Sequence, residues 1–139
     1  MANGMNNVTV VGNVNITIDI TERMVSDILI SALDNPYGGS RYWVQNVRIK
    51  GNDAEDILDE IWYSATFEDS YGDHNPKYFV NAEKVVAAIQ NILSNTITVS
   101  PVICDTLSKA IRENDAGYVD ADVADVVLQV AVLGEIVYG

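Results

Sequence analysis

Between Ala121 and Leu133 the only polar residues are Asp122, Asp125 and Gln129. Asp120 suits an N-cap, Asp122 falls in the first turn, and Gly134 suits the left-handed residue that ends a helix. A helix 121–133 that is apolar on most sides must be wrapped by other elements or by another subunit. Asp125 and Gln129 lie one turn apart on the same face. They could form a solvent-facing stripe, a buried hydrogen-bond pair, or a polar contact across an oligomer axis. The stripe is the simplest account, yet it leaves the other faces needing burial, which a small domain can achieve by association. Asp125, Gln129 and Tyr138, in the apolar ending after Gly134, are therefore candidate interface residues, with core burial expected first.

The rest of the chain supplies elements able to cover this helix. Val14, Ile16, Ile18 and Ile20 alternate with Asn15, Thr17 and Asp19, a period-2 signal, and Gly12-Asn13 suits a tight turn. A β-hairpin over residues 8–20 is expected. Thr21 then caps a helix 22–34, with Val25, Ile28, Leu29, Ala32 and Leu33 as its buried stripe and Asn35-Pro36 as its stop. Residues 44–50 fit helix and strand equally. Ala54, Ile57, Leu58, Ile61 and Trp62 have helical spacing from Asp53 onward, while residues 61–67 and 78–80 read as strands. Asn81 caps a helix 81–93, with Ala82, Val85, Val86, Ile89 and Leu93 facing inward. Ser100-Pro101 opens another over 101–114. The expected fold is one α+β domain over 1–139, a small antiparallel sheet packed with about four helices, with residues 1–6 as a flexible end.

Charge narrows the partners. The formal net charge of −12 would repel nucleic-acid polymers and anionic membrane surfaces, because phosphate neutralisation supplies most non-specific affinity. The acids are spread along the chain, apart from a cluster between Asp53 and Glu60, which favours solubility over mimicry of nucleic acid. The longest near-continuous apolar run is too short to span a bilayer, and the N-terminal residues have neither a basic n-region nor an apolar h-region. The single cysteine, Cys104, fits a reducing cytoplasm.

Candidate chemistry centres on residues 37–43. Gly38 and Gly39 allow close backbone approach, Tyr37, Tyr42 and Trp43 can stack on a base, and Arg41 can grip phosphate. Arg48 and Lys50 follow in a stretch without acids, so a phosphate-bearing small molecule would suit this region. The plain alternative makes Tyr42 and Trp43 core aromatics and the glycines a turn. His74, the only histidine, sits in a polar loop without a second His or Cys nearby, so no metal site is expected. Cys104 reads as a small buried hydrophobe, and no carboxylate pair stands in an apolar setting that would separate their pKa values. Glu135 is the one acid with an apolar flank. No cofactor and no catalytic residue are expected.

Two segments resemble a known group. Ala32-Leu33 followed by Gly38-Gly39 and Tyr42-Trp43 resembles an Ala-Leu-Glu-Gly-Gly…Tyr-Trp motif. Asp120-Ala121 with Ala124-Asp125 and the ending Gly134-Glu135-Ile136-Val137-Tyr138-Gly139 resembles the C-terminus of the same proteins. These are short acidic proteins of tailed bacteriophages and prophages, mostly of unknown function. Here Asp34-Asn35-Pro36-Tyr37 stands where that group has a bare Glu. The resemblance implies an accessory protein in the cytoplasm of an infected bacterium. One role it implies is an oligomeric, non-catalytic sponge that sequesters a nucleotide-type immune signal, with Tyr37, Gly38, Gly39, Arg41, Tyr42, Trp43 and Arg48 around the ligand. Competing expectations are an acidic inhibitor or nucleic-acid mimic that docks on a host protein, and a virion assembly factor.

Overall fold

The computed structural model describes residues 8–36, 38–52 and 60–139. The helix expected from Asp53 onward, Tyr37 and the flexible end 1–6 lie outside them. The described chain is α+β, as its sequence pattern implies. In order it runs α1 (Glu22–Leu33), β1 (Val44–Asn52), β2 (Ile61–Asp69), β3 (Lys77–Asn81), α2 (Ala82–Leu93), α3 (Pro101–Glu113), a 3-10 turn (Ala116–Tyr118) and α4 (Ala121–Leu133). The strands form one antiparallel sheet in the order β1-β2-β3.

Local chemistry accounts for the helix starts. The side chains of Thr21, Asn81, Ser100 and Asp120 each accept a backbone N–H from the first turn of the helix they precede, and Pro101 occupies the opening position of α3. Gly134 ends α4 in the left-handed region at φ +81°.

The expected stripe of α1 is buried in full. That of α2 is rotated, with Val85, Ala88, Ile89 and Ile92 inside, Val86 and Leu93 half-buried, and Ala82 exposed. The ambiguous stretch 44–50 is strand, because its partner β2 fixes it where local pattern does not. Along β2, Ala65, Phe67 and Asp69 point into the core while Ser64, Thr66 and Glu68 point outward.

The wrapping of α4 is complete enough to bury Val123, Ala124, Val127, Leu128 and Val130 within one chain. Helices α1 and α2 pack against it, α1 also covers β2, and α4 reaches β3. Trp43, Phe67, Ile28, Leu29, Leu33, Ile89, Ile92, Leu107 and Leu128 fill the space between these elements.

The hairpin expected over 8–20 does not form. These residues carry no strand, turn or helix, and Val8 through Asp19 are exposed. The apolar alternation explains the failure: apart from Val11, the apolar residues Val8, Val10, Val14, Ile16, Ile18 and Ile20 keep one parity on both sides of Gly12-Asn13. It is the pattern of one continuous strand with a single apolar face, in a segment that finds no partner among the described residues.

One glycine is indispensable to the turn after α1. Gly39 adopts φ +67°, and a Cβ there would stand 2.6 Å from the carbonyl oxygens of Ser31 and Ala32. Its neighbour Ser40 donates its N–H to Ala32 O at 2.7 Å, so the turn cannot relax outward without losing that bond. Gly39→Ala is expected to lower unfolding free energy by about 2 kcal/mol or more, measured by urea denaturation, because strain and a steric clash combine.

Candidate functional site

A carboxylate on α4 gathers the loop expected to bind ligand. Asp125 Oδ1 accepts hydrogen bonds from Ser40 Oγ at 2.7 Å and Trp43 Nε1 at 2.9 Å. Its Oδ2 accepts from Tyr42 OH at 2.7 Å and Gln129 Nε2 at 3.1 Å. A carboxylate offers about four acceptor positions, so these donors saturate it.

Gln129, fully buried, extends the network to the C-terminal segment. Its Oε1 accepts the backbone N–H groups of Val137 and Tyr138, both at 2.8 Å. Its Nε2 lies 3.0 Å from Tyr138 O and 3.2 Å from Tyr42 OH as well as near Asp125. Two amide protons serve three acceptors, so one is shared. Asp125 and Gln129 are therefore neither a solvent-facing stripe nor a contact left open for a second subunit. They are a buried hydrogen-bond pair, and the apolar surroundings that α4 requires make every partner obligatory.

Tyr138 is held inside the same chain. Its hydroxyl donates to Asp69 Oδ2 at 2.6 Å, and its ring stacks on Trp43 with centroids 5.3 Å apart. Asp69 Oδ1 accepts the N–H groups of Tyr71 and Gly72, which closes the turn between β2 and β3. The hydrogen bond to Asp69, reinforced by burial and by the carboxylate's charge, pushes the Tyr138 hydroxyl up to about 12. Burial, followed by the bond to Asp125, also raises Tyr42 well above the ordinary phenol value.

The expected ligand loop is thus divided. Trp43 is fully buried, with its edge against Phe67, and offers no face to a base. Gly39 faces inward. Arg41 donates to Leu33 O at 2.9 Å and so closes the C-terminal end of α1. Gly38, Arg41 and Tyr42 do line a hollow of about 330 Å³ with Pro36, and Tyr42 is 46% exposed there while its hydroxyl is held by Asp125. Tyr42, Asp125 and Tyr138 also border an open cleft of about 500 Å³ beside Asp122, Ile136 and Gly139, where the nearby charge is acidic.

Arg48 stands apart from the loop, on the outer face of the sheet. With Asn46, Val47, Thr66, Phe67, Glu68 and Lys77 it lines a groove of about 540 Å³. The register puts Arg48, Thr66 and Phe79 in one cross-strand row and Lys50, Ser64 and Asn81 in the next. Glu68 Oε1 is occupied by the side-chain amides of Gln45 and Asn46. Phe79 is 43% exposed, and Lys84 Nζ lies 5.6 Å from its ring centroid. Four of the eight basic residues of the chain, Arg48, Lys50, Lys77 and Lys84, therefore belong to this sheet face or its rim. Sequence reasoning singled out Arg48 and missed Lys77 and Phe79. The missing signal was the register, since residues 29 positions apart meet only once β1 and β3 flank β2.

Among the described residues, no group of three or more His, Cys, Asp or Glu side chains could hold a metal ion. No described helix is long and apolar enough to cross a membrane. His74 is exposed in its loop, and Cys104 is half-buried with its thiol 4.0 Å from Ile92 O. Comparison with known family models, characterised proteins and solved structures returns no match.

Two outcomes follow from the network. Gln129→Glu removes both amide protons and sets a second carboxylate beside Asp125. It should cost on the order of 3 kcal/mol in urea unfolding, whereas Gln90→Glu at an exposed position of α2 should cost far less. The raised Tyr138 value implies that its folded state holds the phenolic proton more tightly than the unfolded chain does. That contribution is complete below about pH 10 and is lost as pH rises through about 12. A thermal-melt series over this window should fall less steeply for Tyr138→Phe than for the unaltered protein.

Proposed function

We propose that this protein is a non-catalytic binder of an anionic, nucleotide-type small molecule, held on the outer face of the sheet. The carrying observation is that Arg48 and Lys77 line a 540 Å³ groove whose one acid, Glu68, is engaged by the amides of Gln45 and Asn46, in a chain of net charge −12. Arg48 and Lys77 would meet phosphate, Thr66 and Asn46 would add hydrogen bonds, and the exposed ring of Phe79 would stack on a base. Local potential governs a small ligand at such a groove, while the acidic remainder of the molecule repels nucleic-acid polymers.

The groove replaces the loop 37–43 as the centre of the proposed site, with Gly38, Arg41 and Tyr42 kept as a lesser hollow. Asp125 is saturated by four donors and Asp69 accepts three, so neither is offered as an acid or base. In the setting implied by the sequence resemblance, holding a nucleotide messenger intact would blunt an immune signal in an infected bacterium.

The test is calorimetric titration with a panel of linear and cyclic nucleotides, followed by heating and chromatography of what is released. An intact nucleotide should be recovered. Arg48→Ala with Lys77→Ala should weaken its binding at least tenfold, and Phe79→Ala should weaken it several-fold, with far-ultraviolet circular dichroism unchanged. Recovery of cleaved products, or no retention of any nucleotide, would sink the proposal.

A further inference from the structure

We infer that residues 8–20 form an assembly arm, which pairs antiparallel with the same arm of a second copy of this chain. The inference is independent of any ligand. From Val8 to Ile18 the arm contains no charged residue and no proline, and its β-branched content is high. Val11 is 99% exposed and Val14 86%. Among the described residues, no hydrogen bond reaches residues 8–20. An uncharged, apolar, extended segment of this kind is a pairing template, and natural chains either blunt such a template or cover it.

The contrast with β1 shows that this chain does blunt edges where pairing is unwanted. β1, at one edge of the sheet, carries Arg48 and Lys50 and two register irregularities, with Asn46 at φ +55°. Edge cations and bulges of this type oppose strand addition. The arm has none of these devices. It is left open.

Three observations select a second arm as the occupant. The first is parity. When two copies of the arm run antiparallel with even positions opposite even positions, all their apolar side chains except Val11 share one face. Pairing Val8 with Ile16 and Val10 with Val14 brings Gly12 opposite itself at the two-fold axis. The second is charge. Two chains of net charge −12 repel, and Asp19 is the only ionised side chain each contributes between Val8 and Ile20. The third is continuity. Ile16, Ile18 and Ile20 already border a largely apolar groove of about 560 Å³ with Val86, Ile89, Leu93 and Ile111, and Ile20 packs against the core at the root of the arm. The distal part, reaching about 20 Å from Val14 to Val8 in extended form, projects toward a partner. A two-stranded ribbon would thus be seated at each end on one copy's groove, its apolar face turned to the helices.

Light scattering after size-exclusion chromatography should give a dimer or a multiple of one at high micromolar concentration. Val10→Asp with Val14→Asp should give a monomer with unchanged circular dichroism, since both side chains are exposed in the isolated fold. A second measurement uses a Cys104→Ser background. Single cysteines at Val10 or Val14 should cross-link into covalent dimers on mild oxidation when the two variants are mixed, far faster than a control cysteine at exposed Val102. A strict monomer, an assembly of unchanged size in the aspartate variant, or equal cross-linking at Val102 would each overturn the inference.

Discussion

The Asp125 carboxylate is the interaction on which the rest of the structure depends. It sits on the most apolar helix of the chain, where an unpaired charge would cost several kcal/mol, so its four donors are required. Three come from hydroxyl and aromatic side chains of one loop, Ser40, Tyr42 and Trp43. The turn that presents them needs Gly39 in the left-handed region. Gln129 carries the constraint to the backbone of Val137 and Tyr138, and Tyr138 carries it to Asp69 at the end of β2. Helix, loop, sheet turn and C-terminal segment are thus locked by one connected polar network through the apolar core.

Much of this frame was legible in the sequence, for reasons that are local. Thr21, Asn81, Ser100-Pro101 and Asp120 announce helix starts because capping depends on only a few consecutive residues. The stripe of α1 follows from its own periodicity. The strand 44–52 was not legible, because its apolar and polar residues fit two periods and β2 decides between them. The arm shows the opposite error. Its period-2 signal was real, but Gly12-Asn13 suggested a turn, although the even parity of every apolar residue but Val11 from Val8 to Ile20 was in plain view.

The loop 37–43 illustrates why residue type misleads about a site. Glycines, aromatics and an arginine suit a phosphate ligand and suit a tightly packed turn equally well. What separates the two is the fate of each polar atom. Trp43 Nε1 and Tyr42 OH are bonded to Asp125, and Arg41 is bonded to the end of α1, so the loop's polar groups are directed to the fold. Asp125 lies more than eighty positions away in the chain, beyond the reach of any local pattern.

With the core network closed on itself, unsatisfied surface remains of two kinds, and they differ in chemistry. The outer sheet face combines cations, amides and an exposed ring, a chemistry that would suit a compact anion and tolerates a watery surrounding. The arm is uncharged from Val8 to Ile18 and exposes apolar side chains along that length, which water does not favour. Cations at an edge discourage strand pairing, so the features that would suit β1 to a ligand also oppose strand addition there. The arm's lack of charge makes it a poor host for a phosphate and a good partner for its own copy. The proposed ligand site and the proposed assembly arm are separate surfaces, so that a ligand on the sheet and a second chain on the arm would not compete.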